Sequence, residues 1–317
     1  MRAVVFHEHG GPEVLRLEER WPRPEPAANE ALVEVKAVAL NHLDIFVRRG
    51  MPGVHVELPH ISGGDVAGID VGSGERVLID PMVPAGALGE NVQGAMAEYV
   101  SVPKTNLIPL PDEVSFEQAA ALPIAYGTAW KMLIERGRLA ESETVLVVGA
   151  SGGVGTAVVQ IAKLHGAVVY AASSSRQKNE RLRQLGADYT IDTSDDDWGR
   201  QAWEATGKRG FDVVVDYSGK TTWPTSIRSL KHGGRLLTCG ATSGYEAVTD
   251  LRYVWTREET IMGSDGWTRA GLEKLLELVR EKKIEPVIDR VLPLEQAREG
   301  EEAIERREVF GKVVLTP

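Results

Sequence analysis

The sequence predicts an α/β protein in two parts, a β-rich unit and a doubly wound parallel sheet. Three observations carry this. Residues 145 to 155 read VLVVGASGGVG, an apolar β-favouring run that enters a glycine turn and then a helical repeat, the order of a buried strand, a tight turn and a helix. After this stretch, strand-like apolar runs alternate with helical patterns, as right-handed parallel crossovers require. Before it, short strand-like runs follow one another with no regular helix between them, the texture of a β-rich unit.

Arg2 to His7 and Glu30 to Leu40 read as strands, separated by a stretch holding Pro22, Pro24 and Pro26. Leu43 to Arg49 reads as a short helix stopped by Gly50 and Pro52. Val66 to Asp70, Glu75 to Ile79 and Ala97 to Val102 are further short strands. Pro109 and Pro111 close the unit, and Ser115 caps a helical segment to Ala121. From about Pro123 the texture changes. Tyr126 to Arg136 is helical, and the buried strand Val145 to Val148 follows. Its helix places Val154, Val158, Ile161 and Ala162 at i, i+4, i+7 and i+8 and stops at Gly166. Ala167 to Ala172, Tyr189 to Asp192, Phe211 to Tyr217, Gly234 to Gly240 and Thr260 to Gly263 continue the sheet. Helices near Arg176 to Leu185, Trp198 to Thr206 and Thr222 to Leu230 fall between them. Leu272 to Lys282 is an amphipathic helix. The tail, with Val287 to Leu292, a helix near Gln296 to Arg306 and Gly311 to Thr316, breaks the alternation and is expected to return to the first unit. The expected domains are residues 1–122 with 265–317, and residues 123–264.

Composition narrows the function. A chain of 317 residues has room for two domains, and 43% hydrophobic with 26% charged residues is ordinary for a soluble globular protein. A net charge of -10 argues against a nucleic-acid partner. No apolar run is long enough to span a membrane, and MRAVVFHEHGG lacks the apolar core of a secretory signal. The single cysteine, Cys239, cannot form an internal disulfide, and a cytoplasmic protein is expected. Cys239 itself reads as a core thiol.

The glycine turn carries the chemistry. Ala150, Ser151, Gly152, Gly153, Val154 and Gly155 follow the pattern GxGxxG with alanine in first place. Small residues let the backbone approach a pyrophosphate, and the helix N-terminus offers unpaired N–H groups and a positive dipole end. Ala150 to Val154 are therefore expected to hold a dinucleotide; a glycine turn without ligand is the alternative. A carboxylate about 20 residues on would hold the ribose hydroxyl of NAD. Here that stretch reads AASSSRQK, with no carboxylate until Glu180. The hydroxyls of Ser173 and Ser174 and the cations Arg176 and Lys178 suit a 2′-phosphate, so NADP is the expected cofactor. Ser175 as a helix cap with Arg176 and Lys178 solvated is the other reading. Ser218, Gly219, Gly240 and Ala241 end two strands, where ligands of open α/β sheets bind.

Several segments together carry a resemblance over nearly the whole chain: LNHLD at 40 to 44, SGGDVAG at 62 to 68, AEYVSVP at 97 to 103, AAALPIAYGTAW at 119 to 130, the glycine turn, LGAD at 185 to 188 and GKVVL at 311 to 315. In these the chain resembles the medium-chain dehydrogenase/reductase superfamily, on its quinone-reductase-like and alcohol-dehydrogenase-like side. The resemblance implies a GroES-like catalytic domain, a Rossmann domain with a cleft between them, and hydride transfer with a nicotinamide cofactor. It implies that Asn41 faces the nicotinamide, that Tyr126 and Thr128 contact the cofactor, and that Gly263, Ser264 and Lys312 approach the nicotinamide. Asn41 could orient a ribose or a substrate oxygen. His42 could feed a proton relay or be a satisfied histidine. The Tyr126 hydroxyl could stabilise a developing alkoxide, or its ring could simply pack.

Two departures from the family pattern matter. Zinc alcohol dehydrogenases carry a cysteine where Asn41 stands and a His-Glu pair where Gly64 and Asp65 stand, and no third ligand occurs near Leu122 to Ala125. The four cysteines of the family's structural zinc lobe are missing from Asp80 to Met96. No metal is expected, although His42, Asp44, His60 and Asp65 lie in the matching region and leave a nonstandard site open. The expected function is zinc-independent, NADPH-dependent reduction of a carbonyl substrate, a ketone, quinone or enone. An alcohol dehydrogenase with an unconventional zinc site and an NADPH-binding protein with little turnover are the alternatives. The expected assembly is a symmetric homo-oligomer, dimer or tetramer, paired through a strand edge near Thr260 to Gly263.

Overall fold

The computed structural model describes residues 1–317. Strands β1 (Ala3–Val5), β2 (Arg16–Glu18) and β3 (Glu30–Ala39) lead to helix α1 (His42–Arg49). Next come β4 (Asp65–Asp70), β5 (Arg76–Ile79), the hairpin of β6 (Met82–Val83) and β7 (Gly86–Ala87), β8 (Tyr99–Pro103), β9 (Leu107–Pro109) and α2 (Phe116–Ala120). A helical segment containing α3 (Thr128–Trp130) precedes β10 (Thr144–Val148). Then α4 (Gly153–Leu164), β11 (Val168–Ser173), α5 (Arg176–Gln184), β12 (Tyr189–Asp192), α6 (Trp198–Ala205), β13 (Phe211–Asp216), α7 (Trp223–Ser229), β14 (Leu230–Thr238), α8 (Leu251–Thr256) and β15 (Thr260–Gly263) alternate. Helix α9 (Arg269–Arg280), β16 (Ile288–Pro293), α10 (Ala297–Glu305) and β17 (Lys312–Thr316) finish the chain. The chain partitions into two compact units, Met1–Ala125 with Leu272–Pro317, and Tyr126–Gly271. No helix is long and apolar enough to cross a membrane.

The first unit is built on β3. Its alternate residues Val33 and Val35, with Val38 beyond a bulge, lie in a core with Val66, Val313 and Leu315, and the alternation is that of a strand with one buried face. The sheet runs β16-β17-β3-β4-β5-β9, with β8 also on β3. Register decides the site. Ala39 at the end of β3 lies opposite Asp65 at the start of β4 and opposite Val314 in β17. Asn41, Asp65 and Lys312 are thereby brought to one end of the sheet.

The second unit is a parallel sheet in the order β12-β11-β10-β13-β14-β15. Val145 to Val148 are buried on both faces, as a central parallel strand demands. From β10 the chain steps outward to β11 and β12, then returns to β13 on the other side of β10. The reversal leaves a crevice at the carboxyl ends of β10 and β13, where such sheets bind ligands. Helix α8 has no counterpart in the sequence pattern: none of its residues is buried, and Leu251 and Trp255 face solvent, so no apolar face announces it.

Candidate active site

After β10 the backbone turns through Gly149 at φ +76°. The N–H groups of Gly149 and Ala150 donate to the Ala172 carbonyl at 3.1 and 3.0 Å, tying the turn to the end of β11. Gly152 is the extended N-cap of α4, and the first-turn amides of Gly153, Val154 and Gly155 have no acceptor inside the helix. These amides and the positive end of the helix dipole attract an anion. Ala150 is buried and Ser151 half-buried, so side chains leave the turn's backbone uncovered at Gly152 and Gly153. A Cβ on Gly155 would lie 2.5 Å from backbone of Ala150 and 2.5 Å from the Tyr217 hydroxyl, so only glycine fits there.

The residues after β11 divide into two groups. Ser173 is buried, and its hydroxyl donates to Asn179 Oδ1 at 2.8 Å. The Asn179 amide reaches back to the Ser173 and Ile191 carbonyls at 3.4 and 3.5 Å. Ser173 has spent its one proton and has no hydrogen bond left to donate to a phosphate; it shapes the turn. Ser174 and Arg176 are exposed and Lys178 half-buried. The Ser175 hydroxyl accepts from the Lys178 N–H and caps α5. Asn179 escaped the sequence reading because a single asparagine inside a helical pattern carries no signal of its own.

The carboxyl ends of the remaining strands form an open rim. Asp216 is fully buried and accepts from the Ser218 and Gly219 N–H groups at 2.9 and 3.1 Å, and from the Thr222 and Ser226 hydroxyls at 2.7 and 2.6 Å. That one carboxylate fixes the loop after β13. A Cβ on Gly240 would have its nearest neighbour at 3.8 Å, and one on Gly263 would meet nothing within 4 Å. Ala241, beside Gly240, is half-buried. The Ser264 hydroxyl is buried without a hydrogen-bond partner, which in a native protein signals a group waiting for a ligand or water. Open glycines, unclaimed helix amides and this orphaned hydroxyl fit a dinucleotide. Thr128 is buried, and Tyr126 is fully buried with its hydroxyl accepting from Gln160 of α4 at 2.9 Å. That placement makes Tyr126 a packing residue, with no exposed face toward a substrate. Cys239, its thiol pushed up to about 12 by burial, is no nucleophile.

The first unit holds a closed polar cluster. Lys312, 2% exposed, donates to Asn41 Oδ1 at 2.5 Å and to Asp65 Oδ2 at 3.1 Å. The Asn41 amide donates to Asp65 Oδ2 at 2.9 Å and to the Ala39 carbonyl at 3.2 Å. Asp65 Oδ1 accepts from the Ile124 N–H at 2.8 Å. An ammonium only donates and a carboxylate accepts, so the Asn41 amide can be oriented in one way only. Both its N–H groups are therefore committed, and Asn41 can offer an incoming group no more than a lone pair. Asp44 accepts from the Asn41 and Gly63 N–H groups at 2.7 and 3.0 Å. Burial pushes its carboxyl up to about 7 against the pull of those N–H groups, and burial also raises Asp65 against Lys312 and Asn41. His42, at the start of α1, is exposed and makes no hydrogen bond. Burial of its surroundings, with Arg307 and Lys312 nearby, pushes its imidazole below the ordinary value, which favours the neutral ring.

These residues do not fit a catalytic metal. No group of three or more His, Cys, Asp or Glu side chains comes together to hold one. Both oxygens of Asp44 and of Asp65 already accept from protein donors, an ammonium lies against Asp65, and His60 is buried edge-on against Phe6.

Comparison with known proteins agrees with this architecture. Residues 27–112 match the alcohol dehydrogenase GroES-like domain, and residues 153–281 match the zinc-binding dehydrogenase domain. The chain is 30% identical to the quinone oxidoreductase of Rattus norvegicus over 99% of its own length and 97% of the relative's. It is 31% identical to the chloroplastic NADPH-dependent alkenal/one oxidoreductase of Arabidopsis thaliana, covering 100% of this chain and 80% of that one. A solved NAD-dependent alcohol dehydrogenase superposes with a TM-score of 0.94 at 40% identity, each chain covered fully. With both domains, their order and the glycine turn in place, the chain belongs to the medium-chain dehydrogenase/reductase superfamily, a family of oxidoreductases.

Proposed function

We propose that this protein is an NADPH-dependent reductase of a carbonyl substrate, a ketone, quinone or enone, acting without catalytic zinc. The observation that carries the reading is the open carboxyl rim of the parallel sheet, with its glycines, free α4 amides and partnerless Ser264 hydroxyl. Ala150 to Val154 would hold the pyrophosphate, Ser174, Arg176 and Lys178 the 2′-phosphate, and Ser218, Gly240, Ala241, Gly263 and Ser264 the remaining half of the dinucleotide. NADPH, when bound, supplies the hydride. Asn41 has only a lone pair to give, so it would accept from a hydroxyl and cannot polarise a carbonyl. His42, next to Asn41, is exposed, and its neutral ring can give an N–H to the oxygen that gains charge. The named relatives support the reaction class: one reduces quinones by name, another alkenals and enones with NADPH.

The test is a screen of ketones, quinones, enones and simple alcohols, run with NADPH and NADH in parallel, with and without a chelator. Chelator-resistant reduction with NADPH is expected. Activity that vanishes on chelation and returns with zinc favours a metal-dependent alcohol dehydrogenase. The unpaired edge of β15 suits self-association, since Ile261 on it and Trp255 and Leu251 before it are exposed. Ile261→Lys is expected to shift the protein toward monomer in sedimentation velocity; an unchanged profile removes this edge as the interface.

A further inference from the structure

Tyr217 was silent in the sequence, where it only ends the strand pattern Phe211 to Tyr217. The structure puts it at the reversal of the sheet. It follows β13, and its hydroxyl donates at 2.6 Å to the carbonyl of Gly149, which follows β10. These are the two strands that flank the crevice. Ring atoms of Tyr217 stand 3.6 to 3.7 Å from where a Cβ on Gly149 would lie, and its hydroxyl closes on Gly155. The side chain thus runs along the inside of the glycine turn, half-buried, touching its first and last glycines.

The turn's other ties show what this contact adds. On the amide side, Gly149 and Ala150 are anchored to Ala172. On the carbonyl side, Gly149 accepts a long 3.2 Å bond from Gly152 N–H and the short one from Tyr217. Gly149 sits at φ +76°, where glycine has no Cβ to restrain the backbone, so the orientation of its peptide plane is held by these hydrogen bonds alone. A rotation there would swing the amides that follow it away from a common centre.

Resting on the dinucleotide reading above, we propose that Tyr217 is a positioning residue of the nucleotide site, pinning the Gly149 carbonyl so that the amides of the turn converge on a pyrophosphate.

Tyr217→Phe removes the hydroxyl and keeps the ring. Binding is read by titration calorimetry with NADPH, with ADP-ribose, which has a pyrophosphate, and with AMP, which has none. The expected result is a roughly three- to ten-fold weaker Kd for NADPH and ADP-ribose, the size of one lost hydrogen bond, with AMP and the melting temperature unchanged. Equal affinity of variant and wild type for ADP-ribose overturns the proposal, and so does an equal loss for AMP, which marks a general structural role. Wild-type protein that binds no dinucleotide overturns the underlying reading and Tyr217's role with it. If the variant does not fold, wild-type protein carrying ring-labelled tyrosine gives the answer by NMR. The Tyr217 signal is expected to shift with ADP-ribose and not with AMP; a signal indifferent to ADP-ribose overturns the proposal.

Discussion

Lys312 donates to Asp65 at 3.1 Å across 247 residues of chain, with the two side chains 2% and 0% exposed. The pair joins the start of β17, the last strand of the chain, to the start of β4. Removing one partner of such a pair leaves a buried charge uncompensated, at a cost of about 3 to 5 kcal/mol. Lys312→Met is expected to lose stability of that order in urea denaturation. Adding Asp65→Leu should recover part of it, because the stranded carboxylate goes too. A Lys312→Met protein within about 1 kcal/mol of wild type would show that the pair is not a keystone.

On the proposed reading, His42, exposed at the start of α1, gives a hydrogen bond to the reacting oxygen. His42→Gln is expected to lower kcat on the order of 100-fold, a usual loss for a missing acid–base group. The Kd for NADPH should stay within about two-fold of wild type, since binding and proton delivery fall to different residues. A variant that keeps wild-type kcat on its best substrate removes His42 from the chemistry.

How legible all this was varied with the physics. The parallel sheet was plain because Val145 to Val148 and Val213 to Val215 are apolar on both faces, and the glycine turn follows the first of these runs. Lys312 stood out only as part of GKVVL, and its bond to Asp65 depends on β17 returning beside β3, a long-range register that no local pattern encodes. What Asn41 can offer a ribose or a substrate oxygen was hidden for a related reason: its N–H groups are taken by Asp65 and Ala39, partners that only folding supplies. Ser173 was likewise spent internally on Asn179. Buried ion pairs such as Arg48 with Glu301, 2.6 Å apart on α1 and α10, read in sequence as ordinary solvated charges.

That pair makes stability depend on pH. Burial pushes Glu301 up to about 8 despite Arg48, and Asp44, which faces it, up to about 7. In the unfolded chain both titrate near the ordinary carboxylate values of about 4. The folded state thus binds more protons between these limits, so stability falls as pH rises through the folded values. The melting temperature is expected to drop from about pH 6.5 to 8 and to level off above, where both carboxyls are ionised in the folded and unfolded chain alike; below this window His42 would add the opposite trend. Glu301→Gln cannot ionise and should flatten the upper part of that fall. A wild-type melting temperature that is level over this range, or a Gln variant with the same slope, would contradict the assignment.

Nucleotide choice rests on the short stretch between β11 and α5. Ser174 and Arg176 are exposed there, the Ser175 hydroxyl is occupied as a cap, and the segment itself carries no carboxylate before Glu180. A 2′-phosphate would gain a charge-assisted bond from Arg176, worth roughly 1.5 to 3 kcal/mol. Arg176→Glu replaces attraction by repulsion and should weaken NADPH about 10- to 100-fold while leaving NADH nearly unaffected, so the ratio of the two Kd values is the readout. Salt gives an independent check, since raising ionic strength should weaken NADPH more than NADH in the wild type, and this excess should vanish or reverse in the variant, where salt screens a repulsion. A wild-type protein that prefers NADH, as the name of the structurally similar NAD-dependent alcohol dehydrogenase would suggest for that enzyme, would mean that Arg176 and Lys178 are solvated charges and that the missing carboxylate was not selected for phosphate.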